Sequence, residues 1–273
     1  MISSSRMVIL TARPSLSTDH LLDDAPPMRR LGVITPSSNT VVEPCLIRLA
    51  APLGDQVSLH FARVPVTEVA DDPKSDAQFG LQPMLDAASL LADARVDAIV
   101  WAGTSGSWRG FDADEQLVYD IQAFSGVPTT TTSLGLLSAF RALAVERYGL
   151  VVPYVKPIAD AIIRNLDSAG YACADRTMSS ITSNWDFATI TSAAIEADVR
   201  TVAASRPDAV VILCTNVRGA DVSERLEHEL DIAILDSVVL SLWVALGALG
   251  IEPPSSGFGR LAKQIAASTP TGG

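Results

Sequence analysis

Cysteine, aromatic rings and positive charge are all scarce in this chain of 273 residues. Its three cysteines, Cys45, Cys173 and Cys214, form no close pair, which argues against a disulfide framework and against a zinc site. A reducing compartment, the cytoplasm, fits that usage. Lysine and arginine number 20 against 31 acidic residues, giving a formal net charge of −11, and no basic run is interleaved with aromatics. No nucleic-acid partner is therefore expected. An anionic ligand would have to be held locally, by N–H groups and hydroxyls, because the field of the whole chain repels it. No stretch reaches the roughly 18 uninterrupted apolar residues of a membrane span. Residues 232–249 come nearest and are broken by Asp236, Ser237 and Ser241, so no membrane partner is expected. His20, His60 and His228 are scattered, and there is no G-x-S-x-G elbow, so a serine–histidine–acid hydrolase is unsupported. GTSGSWRG (103–110) has neither a phosphate-loop lysine nor a G-x-G-x-x-G pattern, which leaves nucleotide binding without support.

What is present is repetition. DAIVWAGTSG (97–106) can be laid over DAVVILCTNV (208–217), LGVITP (31–36) over YGLVVP (148–153), and TSLGLLSAFRAL (132–143) over DSVVLSLWVAL (236–246). Three matches in one order point to a duplicated unit of a little over a hundred residues. Apolar, β-branched runs alternate with segments of helical spacing. The strands fall at 31–35, 57–63, 97–101 and 127–131, then at 149–152, 173–178, 209–213 and 232–235. The helices fall at 43–49, 82–95, 114–124 and 134–145, then at 155–169, 188–205, 220–230 and 237–249. Helices between strands imply parallel pairing with right-handed crossovers. The expected fold is α/β, two pseudo-symmetric, doubly wound (Rossmann-like) parallel-sheet domains. Residues 1–30 read as a flexible N-terminal extension, 31–145 as the first unit, 146–262 as the second with its last helix set against the first, and 263–273 as a flexible tail.

Ligands of open α/β sheets bind beyond the carboxyl ends of the strands. Four loops, at 37–39, 103–105, 153–154 and 214–216, follow strands and precede helices. Helix N-termini carry about half a unit of positive charge, so together these loops make a carboxylate cradle between the units. Cys214 stands in one of them, and its mirror position in the first unit is Gly103. At a helix N-terminus its thiol is expected to fall below about 8.5 and to exchange a proton with a carbon acid. Thr104, Ser105, Thr215 and Asn216 could each be ordinary helix caps, but consecutive polar pairs in both mirrored loops favour ligand binding. Asn39, Tyr154 and Asn184 are further candidates. Cys45 and Cys173 read as space-filling. Trp108 and Trp185 read either as a bulky apolar contact or as core.

LGVITPSSNT, WAGTSGS, VVPYV and LCTN, in that order and in two symmetric halves, resemble the aspartate/glutamate racemase superfamily. Within it they resemble the branch of maleate cis-trans isomerases and arylmalonate decarboxylases, over nearly everything from 31 to 261. The resemblance implies a cofactor-independent, metal-free enzyme with its active site between two α/β domains. Racemases of this kind carry a thiol in each half. Here Gly103 takes the first position and Cys214 alone remains, as in the decarboxylases, whereas PSSNT and PYV are nearer the isomerase pattern. Carried over residue by residue, Thr104, Ser105 and Tyr154 match positions that hold a substrate carboxylate, and Asn39 and Asn184 match carboxylate-binding asparagines. The implied activity is decarboxylation of a substituted malonate, with Cys214 protonating an enediolate. The alternatives are maleate isomerisation or racemisation, and a carboxylate-binding protein without catalysis. The expected partners are a small carboxylic or dicarboxylic acid and, as a homo-oligomer, further copies of the chain.

Overall fold

A computed structural model describes residues 28–264. Residues 1–27 of the expected extension and 265–273 of the expected tail lie outside the described residues. The first unit runs β1 (Arg29–Pro36), α1 (Val42–Ala50), β2 (Val57–Val64), α2 (Pro73–Ala77), α3 (Leu81–Asp93), β3 (Ala98–Trp101), α4 (Gly106–Arg109), α5 (Phe111–Ser125), β4 (Thr129–Thr131) and α6 (Thr132–Ala142). The second runs β5 (Arg147–Val151), α7 (Lys156–Ser168), β6 (Ala172–Thr177), α8 (Asn184–Phe187), α9 (Ser192–Ala203), β7 (Ala209–Ile212), α10 (Ser223–Leu230), β8 (Ala233–Asp236) and α11 (Ser237–Leu249). The two four-stranded sheets have the orders β2-β1-β3-β4 and β6-β5-β7-β8, and every pairing is parallel. This is the duplicated, doubly wound α/β fold that the repeat predicts.

The equivalence extends to single hydrogen bonds. Asp97 and Asp208 each stand just before the third strand of their sheet. Each receives its partner strand's backbone N–H on its carboxylate, from Arg30 at 2.7 Å and from Arg147 at 2.8 Å. Past the strand ends, Ala102 N–H donates to the Ile34 carbonyl and Leu213 N–H to the Val151 carbonyl, both at 2.9 Å. β3 and β7 are buried at every position, as runs covered on both faces should be. One alignment shifts by a residue. Thr131 pairs with Trp101 as Asp236 pairs with Ile212, and Thr131 and Asp236 cap α6 and α11 through their side-chain oxygens. Thr131, not Thr132, is therefore the counterpart of Asp236.

α11 is apolar nearly all round and almost wholly buried, the pattern of a helix enclosed on every side. It packs against α6 and α1 and beneath β3 and β4, so an element of the second unit completes the core of the first. Gly135 on α6 allows this approach. A Cβ there would stand 3.0 Å from Val244 Cγ1, and beside it the Thr132 and Ser241 hydroxyls bond at 2.6 Å. With the units joined in this way, the carboxyl ends of β1, β3, β5 and β7 meet at one seam. The short helices α2, α4 and α8 have no counterpart in the expected pattern. At four or five residues each, they are too brief to carry a helical period.

Candidate active site

The turns after the four strands bring most of the candidate residues into one cluster closed off from solvent. Asn39, Thr104, Ser105, Tyr154, Asn184, Cys214, Thr215 and Asn216 are all buried, none more than 5% exposed. At the centre, the Thr104 hydroxyl and the Tyr154 hydroxyl, from opposite units, bond at 2.9 Å. The Cys214 thiol lies close to the same tyrosine hydroxyl and to the Asn216 backbone N–H. The thiol of one unit thus stands one hydroxyl away from the Gly-Thr-Ser turn of the other.

Around this centre the polar side chains tie the units together. Asn39 turns its Oδ1 to the N–H groups of Val41 and Val42, both at 2.9 Å, and so opens α1. Its Nδ2 then points across the seam to Thr215 Oγ1 at 3.3 Å, and Thr215 donates onward to the Ala102 carbonyl at 3.1 Å. Asn216 accepts the Thr40 N–H at 3.0 Å and donates to the Asn184 carbonyl. Asn184 Nδ2 donates to Ser38 Oγ at 2.7 Å. Asn216 is therefore a tie between the units with both ends of its amide engaged, and Ser38, from the expected lining loop 37–39, joins the cluster. Ser105 accepts the Trp101 indole N–H at 3.1 Å.

Apolar walls enclose Tyr154. Trp108 on α4 meets its ring edge-on at 5.3 Å between centroids, and Phe187 on α8 does so at 5.4 Å. Trp108 also packs against Phe79 and lines an outer cavity of about 760 Å³, so it separates that cavity from the buried hydroxyls. The cations of the cavity include Arg109, paired with Asp76, and Lys156, paired with Asp160. Trp185, by contrast, is 56% exposed. The loops after β2 and β6 meet over the cluster, where Val69 N–H donates to the Thr182 carbonyl at 2.8 Å and Asn184 N–H to that of Thr67 at 2.9 Å.

The expected acidity of Cys214 is reversed. No helix begins at the thiol: a turn and then a 3-10 turn, Gly219–Asp221, come before α10 starts at Ser223. With no helix terminus beside it, burial dominates and pushes the thiol up to about 12, against the opposing pull of Tyr154 and the Asn216 N–H. Burial therefore favours the thiol of Cys214 over the thiolate at neutral pH. Burial likewise raises Asp236 to about 7, although its Oδ1 accepts the first N–H groups of α11. Cys45 is raised to about 12 inside the core, while Cys173 is half-exposed on β6, so neither belongs to the cluster. Among the described residues, no three His, Cys, Asp or Glu side chains converge as a metal site, and no helix is long and apolar enough to cross a membrane.

Two mirrored parallel sheets with a thiol and hydroxyls at their seam mark the aspartate/glutamate racemase superfamily, in its maleate isomerase and arylmalonate decarboxylase branch. Within that branch the chain belongs to the arylmalonate decarboxylase family, whose model matches residues 78–262. It is 27% identical over 252 residues to a maleate isomerase of Nocardia farcinica, covering 89% of this chain and 98% of that protein. It is 25% identical over 185 residues to an arylmalonate decarboxylase of Bordetella bronchiseptica, covering 66% of this chain and 77% of that protein. Among solved structures it is similar to a Nocardia farcinica maleate cis-trans isomerase variant, cysteine changed to serine, with a covalently bound succinylcysteine intermediate. That likeness has a TM-score of 0.78 at 25% identity and covers 87% of this chain and 99% of that one.

Proposed function

We propose that the chain is a cofactor-free decarboxylase of α-substituted malonates in which Cys214 protonates one face of an enediolate. The observation that carries this reading is a single thiol at the seam, set beside the Thr104–Tyr154 hydroxyl pair, with Gly103 at the mirrored position. One carboxylate of the substrate takes hydrogen bonds from Thr104, Ser105 and Tyr154, and Asn39 and Thr215 stand next to it. The other carboxylate faces the apolar side of the cleft. Its C–C bond breaks, CO2 leaves, and the bonding pair passes into the enediolate of the carboxylate that stays. Donors already aimed at that charge stabilise it as it develops, with roughly 3–4 kcal/mol for each well-placed group. The enediolate carbon then takes the Cys214 proton, and the thiolate left behind is reprotonated from water. A thiol held near 12 suits this step, because it is a proton in place and not a nucleophile.

A second reading, maleate isomerisation, is favoured by the likeness to the Nocardia farcinica maleate isomerase over nearly that protein's whole length. Covalent addition of a thiol to an alkene needs the thiolate, which burial at Cys214 disfavours. The two readings separate when maleate and a set of α-alkyl and α-aryl malonates are supplied and CO2 and fumarate are both measured. CO2 from malonates, lost in Cys214→Ser, is the expected result. Fumarate from maleate with no CO2 from any malonate overturns it in favour of the isomerase. Tight binding of these acids with neither product points to a carboxylate-binding protein.

A further inference from the structure

We infer that Trp101 is the specificity-determining residue that keeps the cleft one-sided, because its indole fills the space that any side chain at position 103 would need. A Cβ built on Gly103 would stand 2.3 Å from Cε2 and Cζ2 of the Trp101 ring and 2.9 Å from its Nε1. These are overlaps, not contacts, and the ring has no free direction in which to yield. Trp101 is fully buried, its Nε1–H is fixed to Ser105 Oγ at 3.1 Å, its carbonyl accepts the Thr132 hydroxyl at 3.2 Å, and its backbone is paired to Thr131 of β4. Close-packed interiors do not absorb such an insertion without moving a side chain off its rotamer or shifting backbone.

The second unit solves the same volume problem the other way round. Strand pairing makes Ile212 the counterpart of Trp101 and Cys214 the counterpart of Gly103. There the strand carries the smaller Ile212, and the turn two residues on carries a thiol. A large ring with no side chain at 103, and a medium side chain with a thiol at 214, are two fillings of equivalent space. The absence of a second proton donor is thus built into residue 101 as firmly as into residue 103. The inference deepens the one-thiol reading above and rests on it for its chemical meaning, though its steric core stands without it.

The test is a four-way comparison of the full chain with Gly103→Cys, Trp101→Leu and the double variant. It is read by thermal melting and by exchange of the α-hydrogen of one enantiomer of 2-phenylpropionate in D2O. Gly103→Cys alone is expected to lower the melting temperature sharply and to give no exchange with loss of chirality. In the Trp101→Leu background the added cysteine is expected to cost little, and exchange with racemisation should rise on the order of 100-fold above either single variant, the contribution of a second acid/base group. Equal melting penalties for Gly103→Cys with and without Trp101→Leu, or racemisation by Gly103→Cys alone at the rate of the double, overturn the inference. Should a cysteine variant fail to fold, Gly103→Ala in the two backgrounds asks the same steric question with a single methyl group. Failure of the wild-type chain to release CO2 from malonates would sink the decarboxylase reading but leave the melting comparison intact, so the two failures are distinguishable.

Discussion

Residues 101–105 and 212–216 occupy equivalent turns at the ends of equivalent strands, with the same backbone pairing and opposite chemistry. The first places a large ring on the strand, glycine in the turn and two hydroxyls after it. The second places a smaller aliphatic side chain on the strand, a thiol in the turn, and then a hydroxyl and an amide. On the proposed reading, the hydroxyls of the first turn, together with Tyr154, face a charge that develops during reaction, and the thiol of the second supplies the proton. On the same reading, both units share one scaffold, and exchanging bulk between positions two residues apart lets each side of the seam take a different task. Fold symmetry therefore does not carry chemical symmetry: it fixes where the turns meet and leaves their side chains to divide the work.

The sharpest way to break this division is at its two ends. Replacing Cys214 by Ser removes the proton donor, and turnover on malonates is expected to fall by roughly 10²–10⁴-fold with the fold intact. Residual CO2 release without control of product chirality would show that the hydroxyls still work without the thiol. Replacing Thr104 by Val removes one donor from the opposite turn, and kcat is expected to fall on the order of 100-fold. An effect confined to KM would mean that Thr104 binds the ground state alone. Asn216→Ala cuts the tie to Thr40 and to the Asn184 carbonyl and leaves buried groups unpaired. A loss of about 1–3 kcal/mol in denaturant unfolding is expected.

The remaining effect is one of pH and concerns Asp236, whose folded-state pKa stands above its unfolded value of about 3.8, at about 7. Below about pH 4 both states hold the proton. Between about pH 4 and pH 7 the unfolded chain loses it first, so stability from this group is present at low pH and is lost as pH rises through that window. Asp114, raised to about 6 by burial, acts in the same direction. Asp236→Asn keeps an oxygen for the α11 cap and is expected to flatten this part of the stability–pH curve in melting experiments. An unchanged slope would mean that Asp236 stays ionised in the folded chain.

Much of this arrangement can be read along the chain. Short buried strands such as 98–101 and 209–212 announce themselves as unbroken apolar runs, and the order of three repeated motifs suffices for two mirrored sheets. The one-residue slip between α6 and α11 arises because helices buried nearly all round have little polar phase, and their caps, Thr131 and Asp236, differ in type. The shift of the Cys214 thiol has the sign opposite to the expected one. It depends on burial and on the backbone after residue 214, and a loop sequence does not reveal that a 3-10 turn replaces a helix start. Trp101 is visible in the motif from the outset. Its overlap with the space at Gly103 is a fact of three-dimensional packing, for which sequence spacing gives no signal. Phe79 and Phe187, which wall in Trp108 and Tyr154, come from segments with no counterpart in the repeated motifs.

The most direct measurement is the deuterium content and handedness of the product when a prochiral α-aryl-α-methyl malonate is supplied in D2O. A single thiol acting from a single side predicts one enantiomer carrying one deuterium at the α-carbon, and no further exchange on prolonged incubation. A racemic product, or continued exchange of the α-deuterium with loss of handedness, would contradict it.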